Sequence, residues 1–220
     1  MYPKGDLLIP ASHGHLEAIL REPQLTARGA ALVCHPHPLG GGTMHNKVVF
    51  RAFTGLVDAR LATLRFNFRG VGASTGEHDD GNGETRDVLD ALDYLSANFP
   101  DLPVTLAGFS FGSRVGTEAA MDDKRVVRFI SIGTPVDKYD FSHLKNLRKP
   151  ILFVHGDRDK FGSLENLNAL VAEVAENADA TLVVFENCGH FFEKHLLQLK
   201  NAVHDWVLEK MEYEKIPLLG

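Results

Sequence analysis

Cysteine is almost missing from this chain of 220 residues, which holds only Cys34 and Cys188. Two thiols cannot supply a disulfide framework, so a small stapled secreted scaffold is excluded, and a chain this long can bury a core without staples. Long apolar runs are missing too, and no stretch approaches the ~20 residues that a membrane-spanning helix needs. Basic runs are absent. With 23 Lys and Arg against 29 Asp and Glu, the formal net charge is −6, which argues against a nucleic-acid surface. The opening MYPKGDLLIPASHG lacks the apolar segment of a secretory leader, so a cytoplasmic protein is expected. Repeats, low-complexity segments and interdomain linkers are also lacking, and one domain over residues 1–220 is the natural reading.

What is present is an alternation of strand-like and helix-like segments. "DLLIPAS" (6–12) and "HLEAILREP" (15–23) read as two strands joined at Gly14. "AALVCHPHP" (30–38) is a continuous apolar run of the kind buried on both faces, and "LATLRFNFRG" (61–70), "PVTLAGF" (103–109), "RVVRFISIGTP" (125–135), "PILFVHG" (150–156) and "ATLVVFENC" (180–188) read as further strands. Between them lie helical patterns at 43–60, with Thr43 or Asn46 as cap, at 83–99, after Ser110 to about Met121, at 163–178, and from His190 to about Tyr213. Two leading strands followed by strand–helix units predict a mostly parallel sheet with helices on both faces. In such sheets, ligands bind beyond the carboxyl ends of the strands.

Three of those strand ends carry reactive residue types. Ser110 follows 103–109 in "LAGFSFG", Asp157 and Asp159 follow 150–156, and His190 follows 180–188. A serine hydroxyl needs a base to remove its proton, commonly a histidine oriented by a carboxylate. Gly108 and Gly112 give a strand-to-helix bend at Ser110 the room to close, and Gly189 frees the backbone ahead of His190. Asp137 is a third acid past a strand. A rival reading takes His35 and His37, with His13 and His15, as metal ligands, but no Cys, Asp or Glu cluster adjoins them, so no metal and no cofactor is expected. "RGVGAST" lacks the glycine spacing and the position of a nucleotide-binding loop.

With "HPHPLGGGTMHNKVV", "LRFNFRGVGASTG" and "AGFSFG" in view, the chain from about Gly29 to Trp206 resembles the α/β-hydrolase superfamily, and within it a small lidless bacterial group near dienelactone hydrolases and serine-aminopeptidase-like proteins. The resemblance implies an α/β-hydrolase fold with strand order 1-2-4-3-5-6-7-8 and only the second strand antiparallel. Cys34 and Cys188 would then stand four strand spacings apart, roughly 19 Å, beyond disulfide reach. It implies a Ser110–Asp159–His190 triad, since the acid usually stands three residues after the strand's final glycine, here Gly156; Asp157 is then a turn residue. It implies oxyanion donors from the backbone N–H of Phe111 and of the loop after the third strand. Pro36 and Pro38 have no N–H, leaving His37, preferred, or Leu39. Residues 136–149 are too few for a cap domain, so an open site is expected, with Leu39, Tyr139 and Phe191, and also Phe111, Phe141 and Phe192, as pocket candidates. The expected substrate is a small ester or thioester of a short to medium acyl group. An amide or peptide is the alternative, and a non-catalytic binding protein is disfavoured because all three triad types are present. Neither a nucleic acid nor a membrane is an expected partner, and a homodimer is compatible with the sequence.

Overall fold

The computed structural model describes residues 7–213. Residues 1–6, including Asp6 of the first expected strand, and residues 214–220 lie outside the described residues. Eight strands form one sheet: β1 (Leu7–Ala11), β2 (Gly14–Arg21), β3 (Gly29–Cys34), β4 (Leu61–Phe66), β5 (Val104–Phe109), β6 (Val126–Ile132), β7 (Ile151–Gly156) and β8 (Ala180–Phe185). Their order is β1-β2-β4-β3-β5-β6-β7-β8. β2 runs antiparallel to both neighbours, and every other pairing is parallel. This is the topology the resemblance implies.

Five helices cover the sheet: α1 (Lys47–Asp58), α2 (Asn82–Asn98), α3 (Phe111–Ala120), α4 (Leu164–Ala175) and α5 (Leu196–Tyr213). Because side chains alternate across a strand, β3 sends Ala30, Leu32 and Cys34 into one core and Ala31 and Val33 into the other. The first core is closed by α2, α3 and α4 through Val88, Val115 and Leu167, the second by α1 and α5 through Val48, Phe53, Val203 and Trp206. Burial on both faces explains why the central strands read as unbroken apolar runs.

Asn46, one of the two expected caps, starts α1: its Oδ1 accepts from Val48 N at 2.8 Å. Ser163 caps α4 in the same manner. The last helix is shorter than its periodicity suggests. It begins at Leu196, because Phe192 takes φ 54° and breaks any helix begun at His190. Between β6 and β7 the chain makes only loop and one 3₁₀ segment, Ser142–Asn146. Among the described residues, no cap domain stands over the carboxyl edge.

Candidate active site

β5 ends at Phe109 and α3 starts at Phe111, so Ser110 alone makes the bend. It adopts φ 55° and ψ −121°, an uncommon conformation for a side-chain-bearing residue. Backbone bonds enforce it: Ser110 N donates to Ile132 O at 2.9 Å, and Ser113 N and Oγ donate to Ser110 O at 2.9 and 2.7 Å. The flanking glycines are required by contact. A Cβ on Gly108 would stand 2.3 Å from Gly112 O, and one on Gly112 would stand 2.5 Å from His35 O.

Asp159 and His190 converge on this serine. His190 Nε2 lies 3.0 Å from Ser110 Oγ, and His190 Nδ1 lies 2.7 Å from Asp159 Oδ2. An ionised carboxylate only accepts, so Nδ1 carries the ring proton and Nε2 is left to accept from the hydroxyl. The Asp159 side chain is fully buried. Its other oxygen accepts from Phe161 N at 2.8 Å, so both carboxylate oxygens are engaged. Behind it, His155 donates from Nε2 to Gly162 O at 2.8 Å and pins the far end of the same turn. Burial holds the His155 pKa below the ordinary histidine value. The His190 ring is walled by Phe109, Phe161 and Phe191, with centroids at 4.9, 4.5 and 5.2 Å.

The other two acids do different work. Asp157 Oδ1 accepts from Cys188 N at 3.0 Å and ties the loop after β7 to the loop after β8. Hydrogen bonds from the Asn187 and Cys188 amides hold its pKa below the usual carboxylate value. Asp137 accepts from Ser163 N and Asn166 Nδ2, both at 2.6 Å, at the start of α4. Gly189 has open space around it and no left-handed φ. The positive φ values that bend the His190 loop belong to Asn187 (55°) and Phe192 (54°), which corrects the role expected of that glycine.

The loop after β3 curls over the serine. Leu39 N donates to His37 Nδ1 at 3.2 Å, while Gly40 N and Gly42 N both donate to His37 O at 3.0 Å. The backbone N–H groups of His37 and Phe111 make no hydrogen bond among the described residues. Phe111 N–H also stands at the positive end of the α3 dipole. The His37 ring packs against Phe111 and His78, each at 4.8 Å. Burial, and then the neighbouring His78, hold its pKa below the ordinary value.

A cavity of about 400 Å³ opens over Ser110 and His190. Leu39, Tyr139 and Phe191 line it as expected; Leu39 is 76% exposed and Phe191 51% exposed, so both form its rim. Phe111, Phe141 and Phe192 do not line it. Their rings are buried instead, Phe111 and Phe141 in the first core and Phe192 in the second, where apolar packing removes them from water. Phe161, Lys138 and Asn46 line the cavity and were not anticipated in that role. Phe161 could have been found from its place two residues after the acid in the same turn; nothing in the local sequence marks Lys138. A larger groove, about 630 Å³, lies between Arg21–Leu25 and Phe53–Arg60 and contains none of these groups.

The histidines of the metal reading are dispersed among separate partners. His35 binds Pro36 O and Phe68 N, His13 binds Thr75 and Asp87, and His15 binds Ala73 O. No group of three potential ligands occurs among the described residues. Cys34 and Cys188 are both buried and free, and burial pushes the Cys188 thiol up to about 11. Among the described residues, no helix is long and apolar enough to cross a membrane.

Residues 30–211 match the family model for the alpha/beta hydrolase domain. An uncharacterised protein of Rickettsia prowazekii (strain Madrid E) is 37% identical over 185 residues, which is 81% of this chain and 78% of that relative. An alpha-beta serine hydrolase homologue from Coxiella burnetii is 35% identical with a TM-score of 0.85, over 93% of this chain and 99% of that one. A serine hydrolase without a lid from Xanthomonas campestris is 30% identical with a TM-score of 0.84, over 100% and 99%. The sheet order, the bend at Ser110 and the family match over most of its length together establish that this chain belongs to the alpha/beta hydrolase family.

Proposed function

We propose that this hydrolase cleaves carboxylic esters or thioesters of short to medium acyl groups through a covalent acyl-enzyme. The observation that carries the reading is the hydrogen-bonded chain Asp159–His190–Ser110, whose imidazole and hydroxyl line one cavity, with the uncommitted amide of His37 on its wall and that of Phe111 next to Ser110 in the chain. Ser110 Oγ attacks the substrate carbonyl carbon while His190 Nε2 takes the hydroxyl proton. Asp159 holds the imidazole in the tautomer that can accept, and stabilises the imidazolium that forms. The carbonyl oxygen becomes an oxyanion and accepts from Phe111 N–H and His37 N–H. Of the loop amides, His37 is favoured because Leu39 N–H is already spent on the His37 ring. One such donor contributes on the order of 3 kcal/mol to the transition state.

His190 then gives its proton to the departing alcohol or thiol, which leaves as the carbon–oxygen or carbon–sulfur bond breaks. Water enters from the open face, loses a proton to His190 and attacks the acyl-serine. Collapse releases the carboxylic acid and returns the proton to Ser110. The short 136–149 connection supports this second half-reaction, since it leaves the site accessible to water.

The test is labelling with a fluorophosphonate probe alongside a 4-nitrophenyl ester series of increasing acyl length. Ser110→Ala is expected to abolish labelling and to lower kcat by on the order of 10⁴–10⁶. Equal labelling of the variant, or no turnover of any ester or thioester by the wild type, would overturn the reading.

A further inference from the structure

Apart from its imidazoles, the cavity over Ser110 presents a single charged side chain. Its other walls are aromatic, aliphatic, imidazole or glycine groups with Ser110 and the neutral amide of Asn46, and no Asp or Glu lines it. The exception is Lys138. This lysine sits on the tight turn after β6, where Lys138 N and Tyr139 N both donate to Pro135 O at 3.0 and 3.1 Å. That turn fixes the side chain's departure towards the cavity. The Lys138 Nζ lies 4.1 Å from the centroid of the Phe161 ring, and Phe161 in turn contacts the His190 imidazole at 4.5 Å. The ammonium therefore stands one aromatic ring away from the group that handles the proton. Its charge also reaches the loop opposite, adding to the effects that depress the His37 pKa.

Lys138 makes no ion pair among the described residues, although it is flanked by two acids. Asp137 is engaged by Ser163 and Asn166, and Asp140 by Ser142. Among the described residues Lys138 is the one ammonium lining the cavity over Ser110, in a chain whose net charge is −6. Packing on a ring face orients an ammonium while leaving its N–H donors available, since the ring satisfies only one side.

We propose that Lys138 is a specificity-determining residue that recognises a carboxylate on the substrate, so that this chain prefers anionic esters over neutral ones of the same size. The inference rests on the ester-hydrolase reading above. The anionic group can sit on the acid side or on the alcohol side of the scissile bond, and two substrate pairs separate these. For the acid side, mono(4-nitrophenyl) adipate is compared with 4-nitrophenyl hexanoate. For the alcohol side, 4-acetoxybenzoate is compared with its methyl ester.

The readout is the ratio of kcat/KM, charged over neutral, in each pair at low salt. In Lys138→Met that ratio is expected to fall about fivefold in one pair, the scale of a partly solvated ion pair. Lys138→Arg is expected to keep it, and raising the ionic strength is expected to shrink the wild-type preference. A ratio that moves less than twofold in both pairs overturns the inference while leaving the hydrolase reading intact. If the wild type turns over neither member of either pair, the hydrolase reading fails and this inference fails with it.

Discussion

At the scale of single residues, chemistry depends on what each side chain is already bonded to. The molecule contains a second hydroxyl–imidazole–carboxylate chain: Thr75 Oγ1 to His13 Nδ1 at 3.0 Å, and His13 Nε2 to Asp87 Oδ1 at 3.0 Å. Its parts are spent. Thr75 Oγ1 also accepts from His15 N and contacts the carbonyls of His13 and His15, and Asp87 is gripped by Arg69. This chain ties the first hairpin to the loop after β4. Ser110 Oγ, by contrast, has only His190 among the described residues and faces an open cavity. The same logic separates the two acids of "HGDRD". Asp159→Asn is expected to lower kcat by on the order of 10³–10⁴, because an amide facing Nδ1 no longer fixes the tautomer. Asp157→Asn, which alters only a loop tie, is expected to cost less than about tenfold. Steady-state rates with one 4-nitrophenyl ester decide this. The family pattern that the resemblance supplies, read after Gly156, was enough to prefer Asp159, whereas the engagement of Asp157 and Asp137 is a matter of packing that no spacing encodes.

At the scale of elements, the bend between β5 and α3 is a contact problem. A methyl group on Gly108 would meet Gly112 O at 2.3 Å and Ser113 Cα at 2.5 Å, which are backbone atoms of the helix start and cannot rotate away. Gly108→Ala must therefore push α3 off β5 and carry Ser110 with it. The expected result is a stability loss of about 1–3 kcal/mol, with activity reduced by about 10²-fold or more from misplaced chemistry. Gly189→Ala supplies the contrast. With nothing within 4 Å of the added Cβ and no left-handed φ, it is expected to stay within about 0.5 kcal/mol of the parent and to keep its activity. Chemical denaturation and ester hydrolysis on both variants check the pair. The eight strands were legible because most are buried on both faces and read as apolar runs. The loop between His190 and Leu196 was not, because "HFFEKHLLQLK" keeps a helical rhythm. What stops the helix there is the left-handed backbone at Phe192, whose ring is buried in the second core. Sequence rhythm reports which residues want burial, and here burial was achieved by a turn.

At the scale of the whole molecule, buried imidazoles set how stability responds to acid. The sequence contains eleven histidines and does not reveal which are enclosed. In the fold, burial depresses the pKa of His35, His37, His143 and His155, and His35 falls furthest, to about 4. Its neutrality is built in. His35 Nδ1 donates to Pro36 O at 2.6 Å, and Nε2 accepts from Phe68 N at 3.0 Å, so a second ring proton would face an N–H with no water to help. The unfolded chain protonates this ring near the ordinary value of about 6.5. Between that pH and about 4, the unfolded state binds the proton and the folded state does not, so stability falls as pH falls. The window spans roughly 2.5 pH units, and His35 alone contributes a loss of about 3 kcal/mol across it. The carboxylates held below their usual values, Glu84 and Asp123 among them, lose stability only at lower pH, in the carboxylate range. Urea unfolding from pH 8 to pH 4.5 is therefore expected to show a midpoint that begins to decline near pH 6.5, above the range in which Glu84 and Asp123 respond. In His35→Gln the same plot is expected to be distinctly flatter between pH 6.5 and 5, whatever the variant's absolute stability. A wild-type midpoint that stays level down to pH 5 would show that these rings are not held neutral by the fold.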